Sequence, residues 1–231
     1  MEDIFGQALF DEFKGTKASN KLWIHNKYGP KEEMPLDVYF RGIDEMPDLE
    51  LLALNQCRGK ILDIGAGAGS HALILQQKDI FVTALDISGM AVNIMLQRGL
   101  KHALQKDIFS YTGNTYDTLL LMMNGIGLCR TIPGLRLFLQ HTKQLLNKGG
   151  QLIFDSSDIA YLYEGDMPQG GTYYGEVQYK YAYKGQKTDW FKWLYVDQAK
   201  LIGIAAEEGW AAEVIYEDDM DQYLARLTLI Y

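Results

Sequence analysis

The sequence predicts an α/β fold built on a doubly wound, mostly parallel sheet of seven strands, with an antiparallel hairpin inserted after the fifth. Three observations carry this. Short apolar runs alternate with helix-compatible stretches from Ile61 to Asp155. A turn with three alternating glycines, Gly65, Gly67 and Gly69, joins the first run to the first of those helices. After Asp155 the pattern switches to alternating aromatic and polar residues.

In chain order, residues 1–14 place Ile4, Phe5, Ala8, Leu9 and Phe13 on one helical face. Residues 15–44 carry few periodic signals but several aromatics, Trp23, Tyr28, Tyr39 and Phe40. Pro47 opens a short helix through Leu49, Leu52 and Ala53. The run Ile61-Leu62-Asp63-Ile64 suits a strand buried on both faces, and Ser70 to Leu75 suits the helix after it. The second strand, Ile80 to Leu85, ends at Asp86. Ser88 and Gly99 are suited to cap the next helix at its two ends. His102 to Leu104 and Thr118 to Met123 read as the third and fourth strands.

Leu135, Phe138, Leu139, Leu145 and Leu146 mark a helix expected to stop at Gly149-Gly150, before a fifth strand at 151–155. Residues 173–183 and 188–196 read as a hairpin turning at 184–187. Asp197 caps a last helix that ends at Gly209, and Trp210 to Tyr216 and Tyr223 to Tyr231 are the final strands. One domain of 231 residues is expected, with 1–58 as an N-terminal helical or lid segment and 156–196 as the inserted hairpin region.

An apolar fraction of 48% and a charged fraction of 23% are those of an ordinary globular protein. The formal net charge of −8 disfavours nucleic acid and anionic membrane surfaces as partners. The start Met-Glu-Asp has no basic, apolar leader, and the most apolar stretch, 118–129, is too short to span a bilayer. A cytoplasmic location is the expectation. Cys57 and Cys129 read as buried reduced thiols, and the four histidines, His25, His71, His102 and His141, lack metal-ligand spacing. His71 follows the glycine loop and could face the site, but the outer face of its helix is the expected position.

Chemistry concentrates at the carboxyl ends of the strands, where a doubly wound sheet binds its ligand. Glycines at 65, 67 and 69 let a ligand approach the backbone, and the unpaired N–H groups of the following helix point at the same spot. Asp63 beside them suits an amine or water better than a phosphate. Asp86 can take a ribose diol in its two oxygens. The sixth position of a dinucleotide fingerprint is Ser70 here, where Gly or Ala is usual. Asp155, Ser156, Ser157 and Asp158 end the fifth strand, either to bind an amine or to cap the next helix.

The run Asp63-Ile64-Gly65-Ala66-Gly67-Ala68-Gly69 resembles the first motif of the class I S-adenosylmethionine-dependent methyltransferases. The resemblance covers roughly residues 45–231 and implies the Rossmann-like fold of that family, closed by an antiparallel final pair. It implies cofactor contacts at Asp63, Gly65, Ala66, Gly67, Gly69, Asp86 and Ile87. It also implies that Asp107 accepts from the adenine amino group while the Ile108 N–H meets the ring, and that Asn124, with Gly125, stands where cofactor and acceptor meet. The family's lid segments point to Tyr39 and Arg41 as further contacts, although Tyr39 and Phe40 can equally pack the first helix onto the core. The Asn/Asp-Pro-Pro-Tyr form used on nucleic-acid bases is missing, so the expected acceptor is a small molecule.

Methyl transfer from an activated sulfonium needs alignment more than acid–base groups, and no catalytic triad is visible. A nicotinamide oxidoreductase and a non-catalytic binding subunit stand as alternatives. The exposed half of the aromatic hairpin is expected either to roof the acceptor pocket or to join two copies in a homodimer.

Overall fold

The structure is a computed structural model that describes residues 3–15, 21–163 and 171–230. The N-terminal residues 1–2, parts of the expected lid and hairpin regions (16–20 and 164–170), and Tyr231 at the end of the expected last strand lie outside the described residues.

The first helix, α1 (Ile4–Phe13), begins at Asp3, whose carboxylate accepts from the Gly6 N–H at 2.9 Å. Two short strands follow, β1 (Trp23–Asn26) and β2 (Glu32–Glu33), and then single-turn helices at 37–40 and 43–45. The main unit runs α2 (Asp48–Gln56), β3 (Ile61–Ile64), α3 (Ser70–Gln77), β4 (Val82–Asp86), α4 (Gly89–Gln97), β5 (Ala103–Gln105), β6 (Tyr116–Leu121), α5 (Ile132–Thr142) and β7 (Leu146–Ser157). After it come β8 (Glu176–Tyr183), β9 (Gln186–Lys187), β10 (Phe191–Leu194), α6 (Gln198–Glu207), β11 (Trp210–Glu217) and β12 (Gln222–Leu229).

Seven strands form one sheet in the order β11-β12-β7-β6-β3-β4-β5. Neighbours from β7 to β5 are parallel, and β12 is antiparallel to both β7 and β11. The chain enters at β3, builds outward to β5, then returns to β6 on the other side of β3. The switch point therefore lies between the carboxyl ends of β3 and β6, where a crevice opens. Alternation along the strands splits the core by face. Leu62, Ile64, Leu119 and Leu121 pack with Phe138 and Trp210, whereas Ile61 and Leu120 pack with Leu49, Leu75 and Met95. Asp63 points to the second face, toward α2 and α3.

Two boundaries differ from the sequence reading. Leu146 belongs to β7, not to the helix: α5 stops at Thr142, a 3₁₀ turn covers 143–145, and β7 carries Gly149-Gly150 within it as a register irregularity opposite Tyr116–Thr118. The glycines break the ladder locally without ending the strand. The hairpin is also not a separate ribbon. β8 lies between β10 and β1, giving a second sheet in the order β10-β8-β1-β2 with β9 as a short extension of β8. The turn at its tip has Lys184 and Gly185 both at positive φ (48° and 78°), the conformation a two-residue hairpin needs to match strand twist.

The small sheet is held to the main body at two places. Helix α1 lies between it and α4: Phe5 stacks on Tyr181, Asp11 accepts from the Tyr183 hydroxyl, and Leu9 packs with Ile94. Ser88, which caps α4, also donates from its hydroxyl to Asp3. At the other place Trp193 packs on the loop after β6, so closely that a Cβ on Gly127 would meet its Nε1 at 1.9 Å. Gly127→Ala must displace Trp193, and should lower stability by about 1–3 kcal/mol. Thermal unfolding of Gly127→Ala, Trp193→Ala and the double variant checks this: the double variant should lose clearly less than the sum, and additive losses would remove the contact.

Candidate functional site

The turn after β3 is made by Gly65, Gly67 and Gly69 at φ of 71°, 56° and 82°. Side chains rarely adopt this left-handed backbone. A Cβ at Gly69 would also meet Met95 Cγ at 2.7 Å. The N–H groups of Gly65 and Ala66 donate to the Leu85 carbonyl, at 2.8 and 3.2 Å, which fastens the loop to β4. Asp86 ends β4, and its two oxygens accept from the Gly67 N–H (2.9 Å) and the Ser88 N–H (2.8 Å). Burial raises its pKa, and those two N–H groups oppose the rise. Ile87, next along, is 68% exposed, an apolar side chain open to the crevice beside the loop.

Asp63 sits under this loop and is buried. Among the described residues, its Oδ2 and the Arg41 Nε are the buried side-chain polar atoms without a hydrogen-bond partner. Burial lifts the Asp63 pKa to about 6; the His71 imidazole opposes the rise and the Asp86 carboxylate adds to it. His71 is itself buried and bonds through Nε2 to Glu50 Oε2 at 2.8 Å. The other oxygen of Glu50 accepts from Arg41 Nη2. A chain of polar contacts thus runs Arg41–Glu50–His71 to the edge of Asp63. The expected outward position of His71 is overturned. Ile74 and Leu75, three and four residues on, face the core, and that spacing puts His71 on the same side. Glu50 precedes the core residues Ala53 and Leu54 by three and four in the same way.

The 37–41 segment is clamped over the glycine loop. The Ser70 hydroxyl donates to the Tyr39 carbonyl at 2.8 Å. Arg98 reaches the Ala68 carbonyl (2.7 Å), Ser70 Oγ (3.1 Å) and the Phe40 carbonyl (3.3 Å). The Tyr39 ring lies on Gly67, where a Cβ would come 3.4 Å from its Cδ1. Tyr39 also packs edge-on against Phe5, so it does pack the first helix, and it joins that helix to the glycine loop.

At the other side of the crevice, Met123 and Asn124 are both left-handed (φ 60° and 54°). Strained residues of this kind persist only where their surroundings fix them. Asp155 does so here: both its oxygens accept from the Asn124 N–H, at 3.0 and 2.9 Å, and one also accepts from Gln222 Nε2. The Asn124 side chain donates to the Leu194 carbonyl (3.3 Å) and accepts from the Ser156 hydroxyl (3.1 Å). It therefore joins β6, β7 and β10. Burial lifts the Asp155 pKa to about 6. Asp158 starts the turn at 160–163 by accepting from the Ala160 N–H.

Residues 106–108 come to the same edge, because the Lys106 N–H donates to the Asp86 carbonyl at 3.0 Å. Asp107 is exposed and accepts from the Phe109 N–H (3.0 Å), while the Ile108 side chain is buried in the core. The site thus brings together Asp63, the glycine loop, Asp86, Ile87, Tyr39 and Arg41, with Asp107–Ile108 and Asn124 at its two margins. No group of His, Cys, Asp and Glu among the described residues is arranged to hold a metal. The Cys57 thiol is pushed by burial to about 12, and the Cys129 thiol is raised too, so neither is a nucleophile at neutral pH.

Comparison with known proteins matches this geometry. Residues 57–202 fit a family model described as a methyltransferase domain. A S-adenosylmethionine-dependent methyltransferase from Bacteroides fragilis, solved with S-adenosyl-L-homocysteine, is similar over 99% of this chain and 95% of its own, at 39% identity and a TM-score of 0.90. More distant similarity of fold is seen to a DhpI–SAM–HEP complex (19% identity, 97% and 94% covered, TM-score 0.67). The glycopeptide N-methyltransferase MtfA in complex with S-adenosylmethionine shares the fold as well (13% identity, 80% and 96% covered, TM-score 0.55). No curated protein sequence matched the chain. The chain belongs to the S-adenosylmethionine-dependent methyltransferases, and S-adenosylmethionine is its cofactor.

Proposed function

We propose that this methyltransferase acts on a small molecule and holds its cofactor between Asp63, Arg41, Asp86 and the glycine loop. The observation that carries the cofactor placement is the pair of buried, unpartnered atoms of opposite charge, Asp63 Oδ2 and Arg41 Nε. An α-amino acid end offers an ammonium to the first and a carboxylate to the second. Three buried carboxylates, Glu50, Asp63 and Asp155, and the partly buried Asp86 line this region, with Arg41 paired to Glu50, which suits a cationic ligand. A pyrophosphate, as in a nicotinamide dinucleotide, would instead meet the unshielded carboxylate of Asp63.

In this reading Asp86 accepts from the ribose hydroxyls with its remaining lone pairs. Ile87 covers one face of the adenine, and Asp107 and the Ile108 N–H meet its edge. Gly65, Ala66, Gly67 and Gly69 form the floor, and the Asn124 loop borders the acceptor. When bound, the cofactor supplies an electrophilic methyl group on a positively charged sulfur. The chain's own residues align the acceptor and exclude water. In this reading Tyr39 and the small sheet form a roof over the acceptor.

Calorimetric titration with S-adenosylhomocysteine and with 5′-methylthioadenosine, which lacks the amino-acid end, checks the placement. Asp63→Asn and Glu50→Gln should weaken the first ligand by about 1–3 kcal/mol and leave the second nearly unchanged. Equal losses for both ligands would show that these residues serve the fold alone. Asp86→Ala should weaken both ligands by about 1–3 kcal/mol, since both carry the ribose. Unchanged affinity would take Asp86 out of the site. NAD should give no thermal shift to the wild-type protein, and a shift comparable to that from S-adenosylhomocysteine would reopen the oxidoreductase reading.

A further inference from the structure

The small sheet separates its charges by face. Directly paired residues of an antiparallel ladder share a face, and faces alternate along each strand. The register puts Glu32, Ile24 and Tyr181 in one row and Asn26, Tyr179 and Phe191 in the next. Val177 and Trp193 follow on the same face. His25, Lys180, Lys187 and Lys192 fall on the opposite face. On that outer side lysines rest on tryptophan rings: Lys31 on Trp23 at 4.1 Å, Lys180 on Trp190 at 4.6 Å. Every strand lysine is thereby kept off the aromatic face, whose one charged strand residue is Glu32.

The aromatic face is the one turned to the site. Tyr181 stacks on Phe5, Trp193 sits over Gly127, and the Tyr179 hydroxyl donates to the Tyr195 hydroxyl at 3.3 Å. Tyr39, lying on Gly67, brings its phenol into the same group, close enough to feel Tyr181, Tyr195, Arg41 and Asp86. Tyr195 in turn lies in the field of Glu32 and Asp155. The one cation in this company, Arg41, is already engaged by Glu50. With Arg41 Nη2 held by Glu50 and its Nε assigned above to the cofactor's carboxylate, the face next to the glycine loop is built of phenols and carboxylates and offers an anionic acceptor no further positive partner.

We propose that the methyl acceptor is an amine, received as its ammonium ion against the rings of Tyr39, Tyr179, Tyr181 and Tyr195 with Glu32 as the counter-charge. The proposal rests on the reading of the cofactor site given above. The faces of the rings carry the negative part of their quadrupole, and carboxylates near them strengthen the attraction for a cation. For transfer, the ammonium first loses one proton to water. Its lone pair then forms the carbon–nitrogen bond as the methyl carbon–sulfur bond breaks, with that electron pair staying on sulfur. The products are an N-methylated ammonium ion, S-adenosylhomocysteine and the released proton.

Three probes of nearly one shape and different charge test this on protein saturated with S-adenosylhomocysteine: choline, 3,3-dimethylbutan-1-ol and 3,3-dimethylbutanoate. Saturation is verified first by calorimetry, so that failure to bind S-adenosylhomocysteine counts against the cofactor site and is seen separately. Choline should bind at least about tenfold more tightly than the neutral alcohol, and the carboxylate most weakly. Glu32→Gln, at an exposed position where the amide oxygen can still accept from Asn26 Nδ2, should cut the choline preference severalfold with S-adenosylhomocysteine affinity unchanged. Tyr195→Phe should keep the preference and Tyr195→Leu should lose it. Tighter or equal binding of the alcohol or the carboxylate, or no binding of any of the three, would overturn the proposal.

Discussion

A carboxylate oxygen with no donor, buried at the end of the central strand, is the constraint on which the site depends. The fold leaves Asp63 Oδ2 without a donor: the carboxylate lies among the apolar second core, the glycine loop, the His71 imidazole and the Ala72 N–H, and that oxygen stays open. Burying such a group is costly unless something outside the chain completes it. The surroundings limit that cost without removing it. His71 sits near Asp63, Glu50 holds His71, and Arg41 neutralises Glu50 while leaving its own Nε open. The segment 37–41 is thereby tied through charge to the same oxygen that the cofactor is proposed to meet.

The second organising feature is that the small sheet is made from two distant parts of the chain. β1 and β2 come from the N-terminal segment, and β8 and β10 come after β7, yet β8 lies between β10 and β1 in one sheet. Neither part would be stable alone, since short ribbons gain little without a covered face. Helix α1 supplies that cover through Phe5 and Tyr181, and the Asp3–Ser88 bond fixes it to the cap of α4 beside Asp86. The small sheet, the 37–41 segment and the glycine loop therefore share contacts.

Much of this was legible in the sequence. The parallel strands are apolar runs bounded by acids or glycines, so Asp63, Gly65–Gly69 and Asp86 could be placed at strand ends from the pattern alone. The caps Ser88 and Asp197 and the positive-φ glycines 99 and 209 are where local chemistry sets them. The small sheet was half legible. β8 and β10 alternate over enough residues to be seen, but β1 has four residues and β2 two, too few for a period to register. The expected exposed aromatic patch is reduced to Trp190 with lysines over its ring. Tyr179, Tyr181 and Tyr183 fall two apart on one face with Phe191 and Trp193, while lysines cover Trp23 and the partly exposed Trp190 on the other. Glu50 and His71 stand for the remainder. Their spacing to core residues placed them inward, but polar residues at helix starts are so often solvent-facing that only tertiary contact reveals the pair. Asn124 illustrates the reverse case. Its position at the end of β6 was readable, yet its side chain is committed to Leu194 and Ser156, partners 70 and 32 residues away.

The carboxyl titration of Asp63, followed by carbon NMR of labelled aspartate with Asp63→Asn to assign the signal, tests the central claim most directly. In the free protein burial holds its pKa at about 6, above the ordinary value of 3.8. The native state then keeps a proton that the unfolded chain has lost, so this group's contribution to stability falls as pH rises from about 4 to about 6. If the cofactor's ammonium completes Asp63, saturation with S-adenosylhomocysteine should return the pKa to the ordinary carboxylate range or lower. A pKa already ordinary in the free protein, or one that does not move on binding, would contradict the account.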